Sequence, residues 1–391
     1  MEDSIETAYE RLAAWCRDRN YEGHDPFDGL NSRLFQSTLL KRSRVARLAW
    51  TQFIKRSPLN FRRVLGISAG KNPKGTALFA LAALARFRKG RTKEGEAEAR
   101  TFIKDLLAAR IDGFSGDCWG YNFDWQGRAF FAPQGTPMIV PTAFAARALL
   151  EASLAFNDES YLQIARSACD FILIDLNRTN DTKDEICWSY SPLDRTHVFN
   201  ASLLAAETLA SVSALTGEKP LCELAERGAR YVVRRQRDDG SWAYGGENFQ
   251  SWADNFHTAF ILTSLSRIMS ASGVAHAEFY EATKRGYEFW KKNFFLGDGW
   301  PKYYPDRLYP ADAHSAGAAI VALLEMQEID DDAEAFARRI ALWATQRLQD
   351  QSGFFYYQLR RLYTARTPYM RWSQAWMMYA LARLLEERTQ E

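Results

Sequence analysis

Six apolar segments of this chain begin with the same short pattern, and this repeat constrains the fold more than any other feature. In each segment a small or amide-bearing residue precedes an alanine, at Thr76-Ala77, Thr142-Ala143, Asn200-Ala201, Thr258-Ala259, Ser315-Ala316 and Gln374-Ala375. Successive units are 57 to 66 residues apart. A fixed period of this length indicates an architecture built from repeated supersecondary units.

Each unit has the same three parts. An Ala/Leu-rich segment that is apolar almost all round comes first, for example over residues 142–154. A charged amphipathic segment follows, as over residues 159–176, and then a long loop rich in glycine and aromatic residues. Helices that are apolar on every side are buried, so the pattern predicts alternating inner and outer helices with weak strand signals.

Six such pairs predict an all-α fold, the (α/α)6 toroid. Residues 5–17 supply the sixth outer helix and close the ring, which makes residues 1–391 a single toroid domain with an N-terminal extension at 21–70. An open solenoid of helix pairs is the alternative. In a ring, all inner helices begin at one mouth, where their unpaired N–H groups favour bound anions.

The composition is that of a folded protein with an excess of aromatic residues. Of 391 residues, 47% are hydrophobic, 25% charged and 14% aromatic, which excludes a disordered or fibrous chain. No apolar run of ~18 residues lacks a charge, so we expect no membrane-spanning helix. The acidic start, residues 1–6, is unlike a secretory signal, and we expect a cytoplasmic protein. Five cysteines without a CxxC pair argue against disulfides and structural zinc.

One motif resembles the QW repeat of the squalene-cyclase and prenyltransferase toroids. Its residues are Arg227, Gly228, Tyr231, Gln236, Gly240 and Trp242, with a weaker copy at Gln349, Asp350, Gly353 and Phe354. In those proteins the motif is structural, so the resemblance supports the toroid fold. The acidic DxDD motif of the cyclases does not occur here, which leaves a terpene-cyclase activity as a remote alternative.

A second resemblance extends over nearly the whole chain. Residues 21–32 (YEGHDPFDGLNS), 119–126 (WGYNFDWQ) and 135–137 (GTP) are similar to segments of bacterial proteins associated with exopolysaccharide and O-antigen biosynthesis. This resemblance implies a carbohydrate context. It implies neither a particular reaction nor a set of catalytic residues.

Histidines with neighbouring carboxylates are the first candidates for catalysis. His257 and His314 start two inner helices, and Asp254 and Asp312 precede them. A carboxylate can fix the tautomer of a histidine and raise its basicity. The structural alternative is that each aspartate only caps its helix. Asp124 is the third candidate carboxylate, and we expect neither a metal nor another cofactor, since the histidine spacings are repeat spacings.

Aromatic and polar residues near the mouth are the candidates for substrate binding, because aromatic faces stack on sugars and amides bond hydroxyls. They are Trp119, Tyr121, Trp125, Arg128, His197, Asn200, Tyr304, Arg366, Arg371, Trp372 and Gln374. Either Arg366 or Arg371 could clamp a carboxylate or phosphate. The alternatives are a loop folded under its own aromatic residues and arginines in solvated ion pairs.

These features favour a carbohydrate-active enzyme acting on an anionic glycan. Lyase or epimerase chemistry would use a histidine or tyrosine base, whereas hydrolysis would need two carboxylates ~5–9.5 Å apart. The sequence leaves this choice open. The alternative class is a non-catalytic glycan-binding or scaffold protein of polysaccharide assembly. The expected partner is an oligo- or polysaccharide, lipid-linked in one version, and no nucleic acid, because no nucleic-acid motif accompanies the basic residues.

Residues 29–93 contain 16 Lys and Arg and no Asp or Glu. Within them, residues 39–64 alternate basic with apolar side chains and predict a basic amphipathic helix that Pro58 ends or bends. The favoured interpretation is that its apolar stripe packs on the toroid. The alternative is peripheral contact with an anionic membrane at its inner face.

Overall fold

The computed structural model describes residues 2–273 and 277–386. In this part of the chain the helices are α1 Glu2–Arg17, α2 Arg33–Gln36, α3 Arg44–Arg56, α4 Pro73–Gly90, α5 Lys93–Ala108, α6 Ile139–Phe156, α7 Glu159–Asp170, α8 Phe199–Thr216, α9 Lys219–Val233, α10 Asn255–Ser272, α11 Ala277–Phe294, α12 Ala313–Leu324, α13 Ala333–Leu348 and α14 Trp376–Glu386.

The strands are short and belong to the loops. They are β1 Trp125–Gln126, β2 Phe131–Ala132, β3 Arg178–Asp181, β4 Ile186–Trp188, β5 Ala311–Asp312, β6 Gln358–Leu359 and β7 Thr364–Ala365. All pair antiparallel, as β1–β2, β3–β4 and β5–β6–β7. They brace the long loops before the inner helices and do not alter the all-α class.

The inner helices α4, α6, α8, α10, α12 and α14 each pack on the next, and α14 packs on α4. This closure confirms the (α/α)6 toroid and contradicts the open solenoid. The helices α5, α7, α9, α11 and α13 pack outside their inner partners, and α1 packs on α14 and α13 as the sixth outer helix. The N-terminal segment therefore closes the ring, as the sequence predicts.

Close approach of the inner helices depends on their small side chains. A Cβ on Gly317 of α12 would lie 3.0 Å from the backbone of Trp376 on α14. Among the described residues, α6 is the one helix that is long and apolar enough to cross a membrane. It packs between α4 and α8 and under α7, with 72% of it buried, and burial on all sides explains its composition.

The two glutamines of the QW-like motifs join neighbouring outer helices. The Gln236 amide donates to the carbonyl of Gly240 at 2.9 Å and to that of Ala282 on α11 at 2.8 Å. The Gln349 amide donates to Gly353 and to Ala8 on α1, both at 2.8 Å. Each glutamine therefore ties the end of one outer helix to the next, a structural role.

Charged side chains form a ring of ion pairs at the carboxyl ends of the inner helices. The pairs are Arg88 with Glu151 and Glu386, Arg147 with Glu207, Arg267 with Glu207 and Glu325, and Arg383 with Glu325 and Glu386. Since these residues come from all six inner units, the ion pairs connect each inner helix to its neighbours on the side of the toroid opposite the mouth.

The N-terminal extension lies beside the amino ends of the inner helices. Its basic segment forms a short 3₁₀ turn at Leu39–Arg42 and then α3, whose first turn is capped by Ser43. The inward face of α3 buries Thr51 and Ile54, and Trp50 donates to the carbonyl of Gly29 at 2.9 Å. The helix therefore packs on the toroid, the interpretation that the sequence favours.

Candidate active site

A cavity of about 300 Å³ opens where the inner helices begin. The amino end of every inner helix contributes to its lining, through Lys74, Val140, Asn200, His257, His314 and, from the turn that leads into α14, Trp372. Long loops and α3 build the walls. The mouth expected from the repeat is thus a cavity in which residues distant in sequence come together.

His257 is held by Asp254 at the start of α10. Asp254 is buried, and one of its oxygens accepts the backbone N–H of His257 at 3.0 Å as a helix cap. The other oxygen lies 2.7 Å from His257 Nδ1 and accepts from Trp252 Nε1 at 3.2 Å. This contact assigns the proton to Nδ1. The Nε2 atom has no protein partner among the described residues, and in this tautomer it carries the lone pair of the imidazole.

The ring of Phe256 contacts the imidazoles of both His257 and His314. The Phe256 centroid is 4.0 Å from the imidazole of His257 and 4.4 Å from that of His314. His314 also stacks on Trp376 at 5.1 Å. Within the described residues neither of its ring nitrogens has a hydrogen-bond partner. Burial, with the positive charges of Lys74 and Arg371, holds the pKa of His314 well below its usual range, so the imidazole is neutral.

Asp312 does not hold His314, contrary to the pairing expected from the sequence. Its carboxylate caps α12 by accepting the N–H of Ser315 at 2.7 Å and accepts from Gln358 at 3.3 Å. It is fully buried, outside the cavity lining, and burial raises its pKa. Among the described residues, no carboxylate is therefore paired with His314.

Aromatic side chains cover the walls. Tyr244 and Trp252 are stacked with centroids 4.7 Å apart and planes 12° apart. Trp125 packs on Tyr190, whose hydroxyl lies 3.2 Å from that of Tyr121. Burial raises the pKa of Tyr190 and Tyr244, so both phenols stay protonated and serve as hydrogen-bond donors. Flat apolar faces bordered by hydroxyl groups suit the faces and edges of sugar rings.

Positive charge dominates the lining. The charged residues there are Lys55, Arg56, Lys74, Arg128, Arg371 and Asp254, and Asp254 is the only carboxylate among the described residues that line the cavity. The buried Arg371 guanidinium is bound by both oxygens of Asp25, at 2.6 and 2.8 Å. Burial lowers the pKa of Lys55 to about 8. The arrangement favours an anionic ligand.

Besides Asp312, five residues predicted for the site lie outside this lining. Trp119 is fully buried and donates to the carbonyl of Leu106 at 2.7 Å. The carboxylate of Asp124 accepts from Gln134 N–H and the Gln36 amide. Both therefore hold their own loop in place, the structural alternative that the sequence left open.

The other three are used elsewhere too. Gln374 is buried and exchanges two hydrogen bonds with the backbone of Phe355. His197 contacts the Glu247 carboxylate at 2.9 Å and the carbonyl of Thr179 at 3.3 Å. Arg366 is exposed and lies over the ring of Tyr356. These residues were predicted from their repeat position or their proximity to the mouth, but their side chains do not line the cavity.

Several lining residues were not predicted. They are Lys55, Arg56, Lys74, Tyr190, Tyr244 and Trp252. The repeat contains a signal for Lys74. This lysine precedes the repeat residue Thr76 by two positions, and His257 and His314 each precede the repeat residue of their own unit by one position. Across residues 2–273 and 277–386, no group of three or more His, Cys, Asp and Glu side chains is placed to hold a metal ion.

Solved structures with similar folds include carbohydrate-active enzymes. Cellobiose 2-epimerase from Bacillus thermoamylovorans superposes with a TM-score of 0.66 at 14% identity, covering 82% of this chain and 88% of that chain. An unsaturated glucuronyl hydrolase specific for heparin gives 0.64 at 14%, covering 99% and 97%. A D-mannose isomerase gives 0.61 at 14%, covering 81% and 87%.

At this identity the likeness establishes the toroid fold. No protein-family model matches the sequence, and no curated protein sequence matches it either.

Proposed function

We propose that this protein is a carbohydrate-active enzyme that moves a proton on a carbon of an anionic saccharide, as an epimerase, isomerase or lyase does. The observation that carries the proposal is the buried Asp254 carboxylate 2.7 Å from His257 Nδ1, which leaves His257 Nε2 free in an aromatic, positively charged cavity. A histidine oriented in this way is suited to general base catalysis.

In the proposed reaction His257 Nε2 removes the proton from the carbon next to a carbonyl or carboxylate group. The C–H bond electrons move onto the carbonyl oxygen and form an enediolate, which phenol O–H groups such as that of Tyr244 stabilise as hydrogen-bond donors. His257 then carries a positive charge that Asp254 balances. Return of a proton from water to the opposite face gives the epimer, and His257 then releases its proton to solvent. Loss of a leaving group from the neighbouring carbon gives the lyase product.

Hydrolysis suits this cavity less well. It needs two carboxylates on either side of the scissile bond, whereas Asp254 is alone among the described lining residues and already accepts three hydrogen bonds. The other two candidate carboxylates, Asp124 and Asp312, hold backbone N–H groups outside the lining.

Two further lines support a saccharide substrate. The fold is shared with a cellobiose 2-epimerase and a D-mannose isomerase, whose names describe the isomerisation of sugars. The segments that resemble proteins of exopolysaccharide and O-antigen biosynthesis point to a role in polysaccharide assembly, which we include in the proposal.

Solvent-exchange measurements test the reaction. The protein is incubated in D₂O with neutral and acidic mono- and disaccharides, and deuterium at carbon is followed by NMR, with ultraviolet absorbance reporting an unsaturated lyase product. We expect deuterium incorporation by the wild type and its loss in His257→Ala. His197→Ala is the matched control, because that imidazole lies outside the cavity lining. Binding without exchange in the wild type would favour the glycan-binding alternative, and reducing-end release alone would favour hydrolysis.

We also propose that α3 docks on an anionic membrane, next to the mouth. Its solvent-facing stripe, Val45, Ala49 and Phe53, is apolar, while Arg47 turns inward to Gln126 and Lys55 lies over Phe27. Apolar side chains thus form part of the exposed face of α3, beside the exposed Arg44 and Arg56, whereas the exposed face of an ordinary surface helix is polar. Seven of the seventeen exposed large apolar side chains in the described part of the chain fall within residues 34–64, where basic residues accompany them without a carboxylate.

Vesicle co-sedimentation tests the membrane contact. Two kinds of vesicle are compared, phosphatidylcholine alone and phosphatidylcholine with phosphatidylglycerol. We expect the wild type to sediment with the vesicles that contain phosphatidylglycerol, and Phe53→Glu to remain in the supernatant. Leu193→Glu, a change at an exposed leucine elsewhere, should sediment as the wild type does. Equal recovery of the wild type in the supernatant with both kinds of vesicle would contradict the proposal, and concentration-dependent dimerisation abolished by Phe53→Glu would assign the stripe to a second copy of the chain.

A further inference from the structure

Lys74 lies at the floor of the cavity, where its side chain meets rings from three other inner helices. It is the second residue of α4 and is 2% exposed. Its Nζ atom lies 4.6 Å from the ring centroid of Phe144, 5.0 Å from that of Phe260 and 5.3 Å from that of Trp376. The ammonium group is thus surrounded by aromatic rings of α6, α10 and α14.

These rings attract a cation weakly but provide no acceptor for its N–H groups. Among the described residues, no carboxylate pairs with Lys74 and no oxygen accepts a hydrogen bond from its Nζ atom. Lysine side chains are rarely this buried without a partner, because removing a charge from water is costly. Burial and the nearby Arg371 charge accordingly hold the pKa of Lys74 well below its usual range.

The surrounding groups do not compensate for this charge. Arg371, which also lines the cavity, is occupied by Asp25. His314 is neutral and has two unpartnered ring nitrogens. The floor therefore holds unused hydrogen-bond donors at Lys74 and His314, and a bound oxyanion would accept from them and favour the protonated form of Lys74.

We infer that Lys74 binds an oxyanion of the substrate, a carboxylate or phosphate carried by an acidic saccharide. The inference rests on the proposed function, since it uses the same cavity, and it specifies the substrate class. Lys74 thus takes the role that was expected for either Arg366 or Arg371. Arg371 is paired with Asp25, and Arg366 lies outside the lining. The sugar ring attached to the oxyanion would extend from the floor toward His257 and the aromatic walls.

Calorimetric titration tests the inference separately from catalysis. The protein used is His257→Ala, in which turnover is not expected, and the probes are D-glucuronate, D-glucose and inorganic phosphate. We expect glucuronate to bind more tightly than glucose. Adding Lys74→Met should weaken glucuronate binding by about 10- to 100-fold, the range of a charge-assisted hydrogen bond, without changing glucose binding.

The matched control is Lys71→Met, because Lys71 pairs with Asp105 at 2.6 Å outside the lining, and it should bind glucuronate as its parent does. Phosphate binding that Lys74→Met abolishes, without a preference for glucuronate, would assign the floor to a phosphate. Since methionine replaces a buried amino group that has no hydrogen-bond acceptor among the described residues, Lys74→Met should melt at or above the temperature of its parent.

A second measurement uses the unaltered chain. Bound glucuronate should protect Lys74, but not Lys71, from acetylation detected by mass spectrometry. Equal affinity of all variants for glucuronate, or no protection by glucuronate or phosphate, would overturn the inference. Absence of deuterium exchange together with Lys74-dependent binding would instead overturn the proposed reaction and leave this site intact.

Discussion

Replacing Glu325 with glutamine tests whether the ion-pair ring holds the toroid together. Glu325 follows α12 and accepts from Arg267 at 2.7 Å and from Arg383 at 3.3 Å. Its side chain is 18% exposed and that of Arg267 is 15% exposed. Glutamine keeps the size of the side chain and removes its charge, so both arginines lose a carboxylate in a largely buried place.

The expected loss follows from the pKa of Glu325. Burial opposes its ionisation, but Arg267 and Arg383 outweigh that effect and lower the pKa from 4.5 to about 2. Such a shift corresponds to about 3 kcal/mol of stability. Because the pKa is lower in the folded state, this stability is fully present above about pH 4.5 and is lost as the pH falls toward 2. By pH 3 less than about half of it should remain.

Urea unfolding followed by tryptophan fluorescence measures the effect at pH 7 and at pH 3. We expect Glu325→Gln to lower the unfolding free energy by about 3 kcal/mol at pH 7 and the difference from wild type to shrink at pH 3. Glu96→Gln is the control, because Glu96 and Arg100 form a surface pair within α5 that is worth at most about 0.5 kcal/mol. A loss no larger than that of the control, or one that stays constant with pH, would refute the reasoning.

Three further predictions concern the site and the packing. Asp254→Asn should keep the cap of α10, yet lower kcat in the deuterium-exchange assay about 10²- to 10⁴-fold by allowing the wrong tautomer of His257; an unchanged kcat would show that the carboxylate acts only as a cap. Glucuronate affinity should fall as the pH rises through about 8, where Lys55 loses its proton, and Lys55→Met should remove this step from the titration curve. Gly317→Ala should destabilise the ring by about 1–3 kcal/mol in urea, whereas Gly297→Ala, whose Cβ meets nothing within 4 Å, should not.

The fold could be predicted because the repeat consists of short segments that are recognisable in the sequence. In two of the units the residue at the repeat position fastens the preceding loop to the inner helix: the Thr142 hydroxyl accepts the N–H of Trp119 at 3.0 Å, and Gln374 bonds the backbone of Phe355. The spacing of the six repeat positions reveals the number of inner helices and the common direction in which they run.

The walls of the cavity could not be predicted in the same way. Trp119 and Trp125 stand six residues apart in one aromatic loop, yet the first is buried under α5 and the second lines the cavity. What separates them is the β1–β2 hairpin, which the sequence signals only weakly. Lys74 shows the same limit, because the three rings around its ammonium come from three different helices. Contacts of this kind depend on how the ring closes.

The different surroundings of the two histidines, in contrast, follow from a spacing rule that the sequence contains. Asp254 is three residues before His257, whereas Asp312 is only two before His314. Both aspartates cap their helices by accepting the N–H three residues on, which belongs to His257 in α10 but to Ser315 in α12. Side chains three apart share a helix face and those two apart do not. One carboxylate therefore also reaches its imidazole, while His314 turns toward the floor and Lys74. A one-residue difference in spacing thus gives one repeat position an imidazole oriented by a carboxylate and its neighbour a neutral imidazole without a carboxylate partner among the described residues.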